Sequence, residues 1–298
     1  MDFEALDGLL QFHQRRATAG VVLCDLTGEG PTLTREERAS LIARAVETTR
    51  KLGGNAPRRR ATRTKSASGK LAVVAAIGTS DTRSTCDHAR DAVFAGVDAL
   101  HIVTPPYVRP SQLGLLRHLR AVAEAASDAP LVLVNDPDRT GLDLEPEASR
   151  ELTRLVPSIR AVVEVTRNPA RVRRAAEVLK VPVIAGDDRV LGPFAAAGAA
   201  GALSIVANLV PDEVDTLLDA ARAGSEAGLI GRYEEGLAPL VDALAVEPNP
   251  GPLKAALYAL GAIEGELRSP LAELTPGNRD NLRRVLTRAR LLVPSEPA

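Results

Sequence analysis

The chain has 298 residues, a formal net charge of −1, 45% hydrophobic residues and 2% aromatic residues. This near-neutral balance is typical of a soluble globular protein and argues against a nucleic-acid binder that works through global charge. Its two cysteines are too few for a disulfide framework, which favours a location in the reducing cytoplasm. Lysine is scarce: among 37 basic residues the lysines are 51, 65, 70, 180 and 254.

The first predicted element is an amphipathic helix, with Phe3, Leu6, Leu9, Leu10 and His13 on one face. Its acidic start lacks the basic region and apolar core of an export signal, so no targeting segment is predicted. Seven β-branched stretches follow, alternating with helical patterns, at 20–24, 71–77, 99–103, 130–134, 161–165, 181–185 and 201–205. This alternation is typical of βα units around a parallel sheet, and it predicts an α/β protein.

Helix signals lie between these stretches. Thr34 and Glu37 form a capping box, and Pro110 opens another helical pattern. The uncharged stretch from Val190 to Pro211 has the length of a membrane span, but glycine, proline and polar residues interrupt it. We interpret it as a short helix, a turn and a buried strand, and expect no membrane association. Further helices are predicted near 211–221, 225–245, 251–262 and 277–291.

Seven regular βα-type strands predict a (β/α)8 TIM barrel that lacks its first strand, since a closed barrel of this type has eight. The barrel would span residues 1–222, and a C-terminal helical extension would span 223–298. A polar, basic insertion at 54–69 joins a helix to the next strand, and such loops lie on the face away from the catalytic one. We interpret it as a mobile solvated loop in preference to an anion or RNA patch.

Several segments together resemble the dihydrodipicolinate synthase and N-acetylneuraminate lyase family. They are LTGEGPTLTREER (26–38), TPPYVRPSQLGLLRH (104–118), VNDPDRTGLDL (134–144), IAGDD (184–188), GALSIVANLVPDE (201–213) and VEPNPGPLK (246–254). The resemblance covers nearly the whole chain in the family's order. It implies a TIM barrel with a C-terminal helical extension, a homo-oligomer (dimer or tetramer), and a small carboxylate ligand.

The family's chemistry uses a lysine that forms a Schiff base with pyruvate or a pyruvate-releasing substrate. By resemblance, Val163 stands at the lysine position, Val134 at the position of a proton-transferring tyrosine, and Leu26 at that of a proton-relay threonine. Aliphatic side chains form no imine and move no proton. The sequence therefore offers no confident catalytic residue, and it calls for no cofactor.

Three residues remain as substrate-binding candidates by resemblance: Thr27, Tyr107 and Arg139. Tyr107 would be the tyrosine inserted across a tight dimer, or a plain aromatic contact at that interface. Arg139 would receive a substrate carboxylate through its guanidinium fork, or would only brace the loop DPDRTG.

Other reactive side chains are weaker candidates. Cys24 is expected to be a buried structural thiol. None of the four histidines, 13, 88, 101 and 118, is placed as a metal ligand, so no metal site is predicted. A carboxylate cation site at the strand ends, from Asp25, Asp136, Glu164 and Asp187, is a minor alternative.

These substitutions favour a family member that has lost Schiff-base catalysis and acts as a non-catalytic subunit, sensor or relic. The alternative is a lyase or hydro-lyase that acts on a 2-oxo acid or related carboxylate with a different acid/base set. A third hypothesis concerns assembly: an active relative could join it in a hetero-oligomer and cover the strand edges left by a missing first strand.

Overall fold

The computed structural model describes residues 1–16, 18–53, 70–224 and 233–292. Within these ranges seven strands form one parallel sheet in sequential order. They are β1 (Gly20–Leu23), β2 (Ala72–Ala76), β3 (Ala99–Val103), β4 (Leu131–Asn135), β5 (Ile159–Glu164), β6 (Val183–Ala185) and β7 (Gly201–Ala202). The predicted α/β class and all seven predicted strands are confirmed.

Helices alternate with the strands and then continue alone. They are α1 (Phe3–Arg15), α2 (Arg35–Gly53), α3 (Thr82–Ala95), α4 (Gln112–Ala125), α5 (Pro137–Thr140), α6 (Pro146–Leu155), α7 (Pro169–Val178), α8 (Leu191–Ala196), α9 (Pro211–Arg222), α10 (Ala238–Leu244), α11 (Gly251–Ala259) and α12 (Pro276–Arg288). A π-helical turn, Tyr233–Leu237, precedes α10. The insertion at 54–69 and the first part of the helix predicted at 225–245 lie outside the described residues.

Local capping explains where the helices begin. The Thr34 N–H donates to Glu37 Oε2 at 2.9 Å and the Glu37 N–H donates to Thr34 Oγ1 at 3.3 Å, which is the predicted capping box of α2. The expectation that Pro110 opens α4 is wrong by two residues. Ser111 caps this helix, with its Oγ accepting from the Gly114 N–H at 3.2 Å.

The sequential strand order places the helices on one face of the sheet, because every βα crossover turns in the same sense. Strand residues on that face, such as Leu100, Ile102 and Leu133, belong to the main hydrophobic core and are 0% exposed. The alternate residues of each strand form the opposite, inner face. In the described residues β1 pairs only with β2 and β7 only with β6, so these two strands are the edges of the sheet.

β7 is shorter than the predicted stretch 201–205. The Leu203 N–H still donates to the Ala185 carbonyl at 2.7 Å, but the next amides turn to Asp188. The Asp188 Oδ2 accepts from the N–H groups of Ile205 at 2.9 Å and Val206 at 2.8 Å. A buried carboxylate therefore replaces the strand ladder and turns the chain into α9.

The helices after α9 are attached to the loop that follows β1. Lys254 Nζ lies 2.6 Å from Glu29 Oε2, and the Arg268 N–H donates to the same carboxylate at 2.8 Å. Asn249 Nδ2 donates to Thr27 Oγ1 at 2.7 Å. These contacts fix the loop that carries Leu26 and Thr27 at the carboxyl ends of the strands. Among the described residues, no helix combines the length and apolarity that a membrane crossing requires.

Candidate functional site

An aliphatic wall occupies the inner face of the sheet near the carboxyl ends of β3 to β6. The strand register places Val103 beside Val134, Val134 beside Val163, and Val163 beside Ile184. Val134 is 4% and Val163 is 1% exposed. We call this row of four residues the aliphatic wall. It contains no group that can act as a nucleophile or transfer a proton.

Gly186 closes the wall at the end of β6. A Cβ placed there would lie 2.8 Å from Val163 Cγ1 and 2.7 Å from Val165 Cγ2, so the Val163 side chain fills the space beside this glycine. Leu26, the third aliphatic candidate, starts a short 3-10 turn, Leu26–Gly28, and is half-buried. The three positions predicted to have lost catalytic groups thus all lie at the carboxyl ends of strands.

The described lysines lie away from this wall. Lys51 pairs with Glu47 on α2, Lys70 pairs with Asp98 before β3, and Lys254 pairs with Glu29. Lys180 is exposed just ahead of β6, at the opposite end of the sheet. Lys65 lies outside the described residues. Of the four described amines, three are therefore ion-paired and the fourth is exposed, and none belongs to a strand of the wall.

The three predicted binding residues occupy different environments. Arg139 Nε lies 3.3 Å from Asp136 Oδ2, and its side chain is 49% exposed. The side chain of Thr27 bonds Asn249, as described above. Tyr107 is 90% exposed with a φ of +72°, and its N–H donates to the Thr140 carbonyl at 3.3 Å. Arg139 is thus a half-exposed cation at the end of β4, already neighboured by one carboxylate.

Glu164 lies on the other face of β5, as the strand alternation predicts. It is fully buried, and its Oε2 accepts from Asn135 Nδ2 at 3.0 Å and Arg171 Nε at 3.3 Å. Burial raises the pKa of this carboxyl, while Asn135 and Arg171 oppose the shift. Glu164 therefore braces β5 against α7 and does not reach the inner face.

His101, which the sequence did not place as a metal ligand, lies on the inner face in the structure. In register it lies beside Ala76 on β2 and Val132 on β4, and it is two residues from Val103, which puts it on the inner face. The imidazole is 3% exposed, and its Nε2 has no hydrogen-bond partner among the described residues. The alternation of ALHIV was the signal that could have identified it.

The charge of one carboxylate, Asp25, acts on this imidazole. Burial lowers the pKa of His101, and the charge of Asp25 acts against that shift. Burial also raises the pKa of Asp136, with Arg139 opposing the shift and Asp25 adding to it. The Asp25 carboxylate thus acts on groups of both β3 and the β4 end. At neutral pH the imidazole is therefore uncharged and available as a hydrogen-bonding group.

The remaining acidic candidates are engaged in local structure. Asp187 holds two guanidinium groups, with Arg189 Nη2 at 2.6 Å and Arg167 Nε at 3.3 Å. Cys24 is buried, and burial raises the pKa of its thiol. Within the described ranges no group of three or more His, Cys, Asp or Glu side chains is arranged to hold a metal ion.

Comparisons with known proteins agree with one another. The model of the dihydrodipicolinate synthetase family matches residues 60–289. The chain is 35% identical over 291 residues to the 4-hydroxy-tetrahydrodipicolinate synthase of Anaeromyxobacter dehalogenans, covering 97% of this chain and 92% of the relative. A crystal structure of dihydrodipicolinate synthase from Aquifex aeolicus has a TM-score of 0.87 at 32% identity, covering 99% of this chain and 94% of that one.

A third relative was crystallised with a ligand. The chloride-inhibited dihydrodipicolinate synthase from Acinetobacter baumannii, complexed with pyruvate, has a TM-score of 0.87 at 30% identity. The structural match covers 98% of this chain and 94% of that one. The arrangement of sheet and helices is therefore shared across most of both chains, so the inner face and strand ends described above correspond to those of TIM-barrel relatives.

Proposed function

The chain belongs to the dihydrodipicolinate synthetase family, and we propose that it does not carry out Schiff-base chemistry but binds a small ligand non-covalently. One observation carries this proposal: the aliphatic wall, with Val163 packed against Gly186, stands where resemblance calls for the lysine. An imine requires a neutral amine within bonding distance of a carbonyl carbon. The four described lysines are ion-paired or exposed elsewhere.

The loss of the lysine is matched by the loss of its helpers. Val134 and Leu26 replace the tyrosine and threonine that the resemblance assigns to proton transfer. Neither side chain has a donor or acceptor. Such coordinated replacement favours a ligand sensor or a non-catalytic subunit, because a single lost group would leave its helpers in place.

Borohydride trapping tests the proposal. The native protein is incubated with pyruvate and sodium borohydride, and its intact mass is measured. No covalent adduct is expected, whereas an adduct on the native chain would refute the proposal. A triple variant, Val163→Lys with Val134→Tyr and Leu26→Thr, is the matched positive arm, since it restores an amine at the wall.

The alternative function is a lyase or hydro-lyase that acts on a 2-oxo acid or related carboxylate with other acid/base groups. The unpartnered Nε2 of His101 favours this candidate, because a buried neutral imidazole can accept a proton. Arg139 would then anchor the substrate carboxylate. This candidate predicts turnover that disappears in Arg139→Ala and persists in Arg154→Ala, whose guanidinium forms an exposed pair with Glu151.

A shared assembly is the third element of the proposal. β1 and β7 are the sheet edges among the described residues, and exposed edges favour pairing with a further strand. A barrel without its first strand would be completed by an active relative in a hetero-oligomer, or would persist in a homo-oligomer. Native mass spectrometry of the chain co-expressed with such a relative distinguishes the two assemblies. If only homo-oligomers are observed, the hetero-oligomer hypothesis is refuted.

A further inference from the structure

Two arginines stand on the loops that follow β5 and β6. Arg167 lies three residues beyond Glu164, the last residue of β5, and Arg189 lies four residues beyond Ala185, the last residue of β6. Glu164 and Ala185 are partners in the strand register, so both loops leave the sheet from one level at its carboxyl edge. This is the edge at which the aliphatic wall ends.

One buried carboxylate holds both guanidinium groups. Asp187 Oδ2 lies 2.6 Å from Arg189 Nη2 and 3.3 Å from Arg167 Nε, so the two nitrogens are no farther apart than these distances combined. Asp187 Oδ1 also accepts from Arg189 Nε at 2.9 Å and from the Arg189 N–H at 2.9 Å. Burial acts to raise the pKa of Asp187, but its bonds with both arginines hold that pKa below its ordinary value. The carboxylate is therefore ionised at neutral pH and fixes the two guanidiniums next to each other.

The acid is shielded, whereas the two arginines are open to solvent. The Asp187 side chain is 8% exposed, and those of Arg167 and Arg189 are 58% and 40% exposed. Arg189 alone already forms a two-point pair with Asp187. In the described part of the chain, the terminal nitrogens of Arg167 and the Nη1 of Arg189 donate no hydrogen bond. A ligand that approaches from solvent thus meets unused N–H donors of two guanidiniums and not the carboxylate.

These donors favour a phosphoryl group over a carboxylate. A carboxylate has two oxygens and is satisfied by one guanidinium, as Asp187 is by Arg189. A phosphoryl group has three acceptor oxygens and a charge of about −1.5 to −2 at neutral pH, so it can accept from two neighbouring guanidiniums at once. The exposed Asp138 also acts on Arg189 through its charge, but it forms no ion pair with Arg189 and leaves these donors unoccupied.

We propose that Arg167 and Arg189, held by Asp187, bind the phosphoryl group of a small ligand at the carboxyl ends of β5 and β6. Val163 and Ile184 of the aliphatic wall belong to the same two strands, so the rest of the ligand would extend over the wall. This inference rests on the proposed function, since it names the ligand class of the same site.

Calorimetric titration of the full chain tests the proposal, with glycerol 3-phosphate, inorganic phosphate and glycerate compared at one pH and one ionic strength. Both phosphates are expected to bind at least about tenfold more tightly than glycerate, because its carboxylate cannot engage both guanidiniums. The tighter of the two phosphates tells an ester from free phosphate as the source, and either result supports the site. Absent binding of both phosphates, or glycerate binding as tight as that of glycerol 3-phosphate, would overturn the proposal.

Variants locate the site. Arg167→Met and Arg189→Met are each expected to weaken phosphate binding about tenfold, because each removes one charge-assisted contact. Arg174→Met is the matched control, because it removes a guanidinium of similar exposure, 55%, from an ion pair with Glu147. It is expected to change phosphate binding by less than about twofold, since exposed distant charges are screened. Unchanged phosphate binding in Arg167→Met and Arg189→Met would refute the assignment.

The two hypotheses fail separately. A phosphoryl group has no carbonyl carbon for an amine to attack, so its binding does not depend on imine formation. A borohydride adduct with pyruvate would refute the proposed function whatever the phosphate titrations give. Absent phosphate binding in a protein that also forms no adduct would refute only the phosphoryl site. Far-UV circular dichroism of each unliganded variant confirms its fold, and the preference for phosphates over glycerate in the native chain needs no variant.

Discussion

The packing of Val163 against Gly186 makes a quantitative prediction about the site. In Gly186→Ala the new Cβ would lie 2.8 Å from Val163 Cγ1, 2.7 Å from Val165 Cγ2 and 3.1 Å from the Glu164 carbonyl oxygen. Overpacking of this kind is expected to cost about 2 kcal/mol. Val163→Ala alone removes two methyl groups from a side chain that is 1% exposed. At ~0.8 kcal/mol per buried methyl group plus a cavity term, it is also expected to cost about 2 kcal/mol.

The double variant distinguishes this geometry from others. Shortening Val163 removes one of the two side-chain clashes, whereas the Val165 contact remains. The pair is therefore expected to be less destabilised than the sum of the single variants, by about 1 kcal/mol. Urea unfolding followed by far-UV circular dichroism gives the four free energies of unfolding.

A control cycle uses Gly192→Ala, whose Cβ would meet Leu217 Cδ1 at an ordinary 3.9 Å. This change and Val163→Ala are expected to be additive to within about 0.3 kcal/mol. Additivity of Gly186→Ala with Val163→Ala would show that Val163 does not fill the space beside Gly186. The aliphatic wall would then be the wrong description of the site.

Three further predictions concern the frame around the site. Lys254→Met breaks the ion pair between Lys254 and Glu29, whose two side chains are 19% and 12% exposed, and should lower the free energy of unfolding by about 1–3 kcal/mol. Lys51→Met is the control, because its ion pair is 69% and 55% exposed, and it should change the free energy of unfolding by less than about 0.5 kcal/mol. Equal effects in urea titrations would contradict the anchoring role of Lys254. Thr34→Ala removes one of the two hydrogen bonds of the capping box and should lower the free energy of unfolding by about 1 kcal/mol in the same assay. An unchanged free energy of unfolding would refute this prediction. Burial lowers the pKa of His118 below its usual 6.5. As the pH falls below 6.5, the histidine is therefore protonated in the unfolded chain before it is protonated in the folded one, and the free energy of unfolding decreases. His118→Leu should therefore lose less stability than the native chain between neutral pH and mild acid, and parallel pH profiles would disprove this.

Most of the fold could be predicted from the sequence because the patterns that indicate it are local and repeated. Each strand is a short β-branched stretch between amphipathic helices, and the Thr34 and Glu37 pattern fixes the start of α2 within a residue. The end of β7 could not be predicted from the sequence. It depends on Asp188, seventeen residues before Ile205, whose carboxylate accepts hydrogen bonds from the N–H groups of Ile205 and Val206. Contacts of that kind are set by tertiary structure, and no local propensity predicts them.

The site was only partly readable for a related reason. Resemblance singled out Leu26 and Val134 through distinctive segments, and Val163 through its place in the strand stretch 161–165. His101 lies in no such segment. Its role depends on which face of β3 it occupies and on the missing hydrogen-bond partner of its Nε2. Strand alternation puts His101 on the same face as Val103, so the sequence ALHIV does carry a signal for its position on the inner face. Arg139 stays a predicted ligand-binding residue, and its contact with Asp136 became visible only in the structure.

The aliphatic wall and the buried imidazole make different demands on a ligand at the inner face. The wall of Val103, Val134, Val163 and Ile184 favours apolar contact. The buried Nε2 of His101 opposes a purely apolar ligand, since a buried polar atom without a hydrogen-bond partner is costly. A ligand that fits this face therefore combines an apolar part for the wall with a polar group that can bond His101.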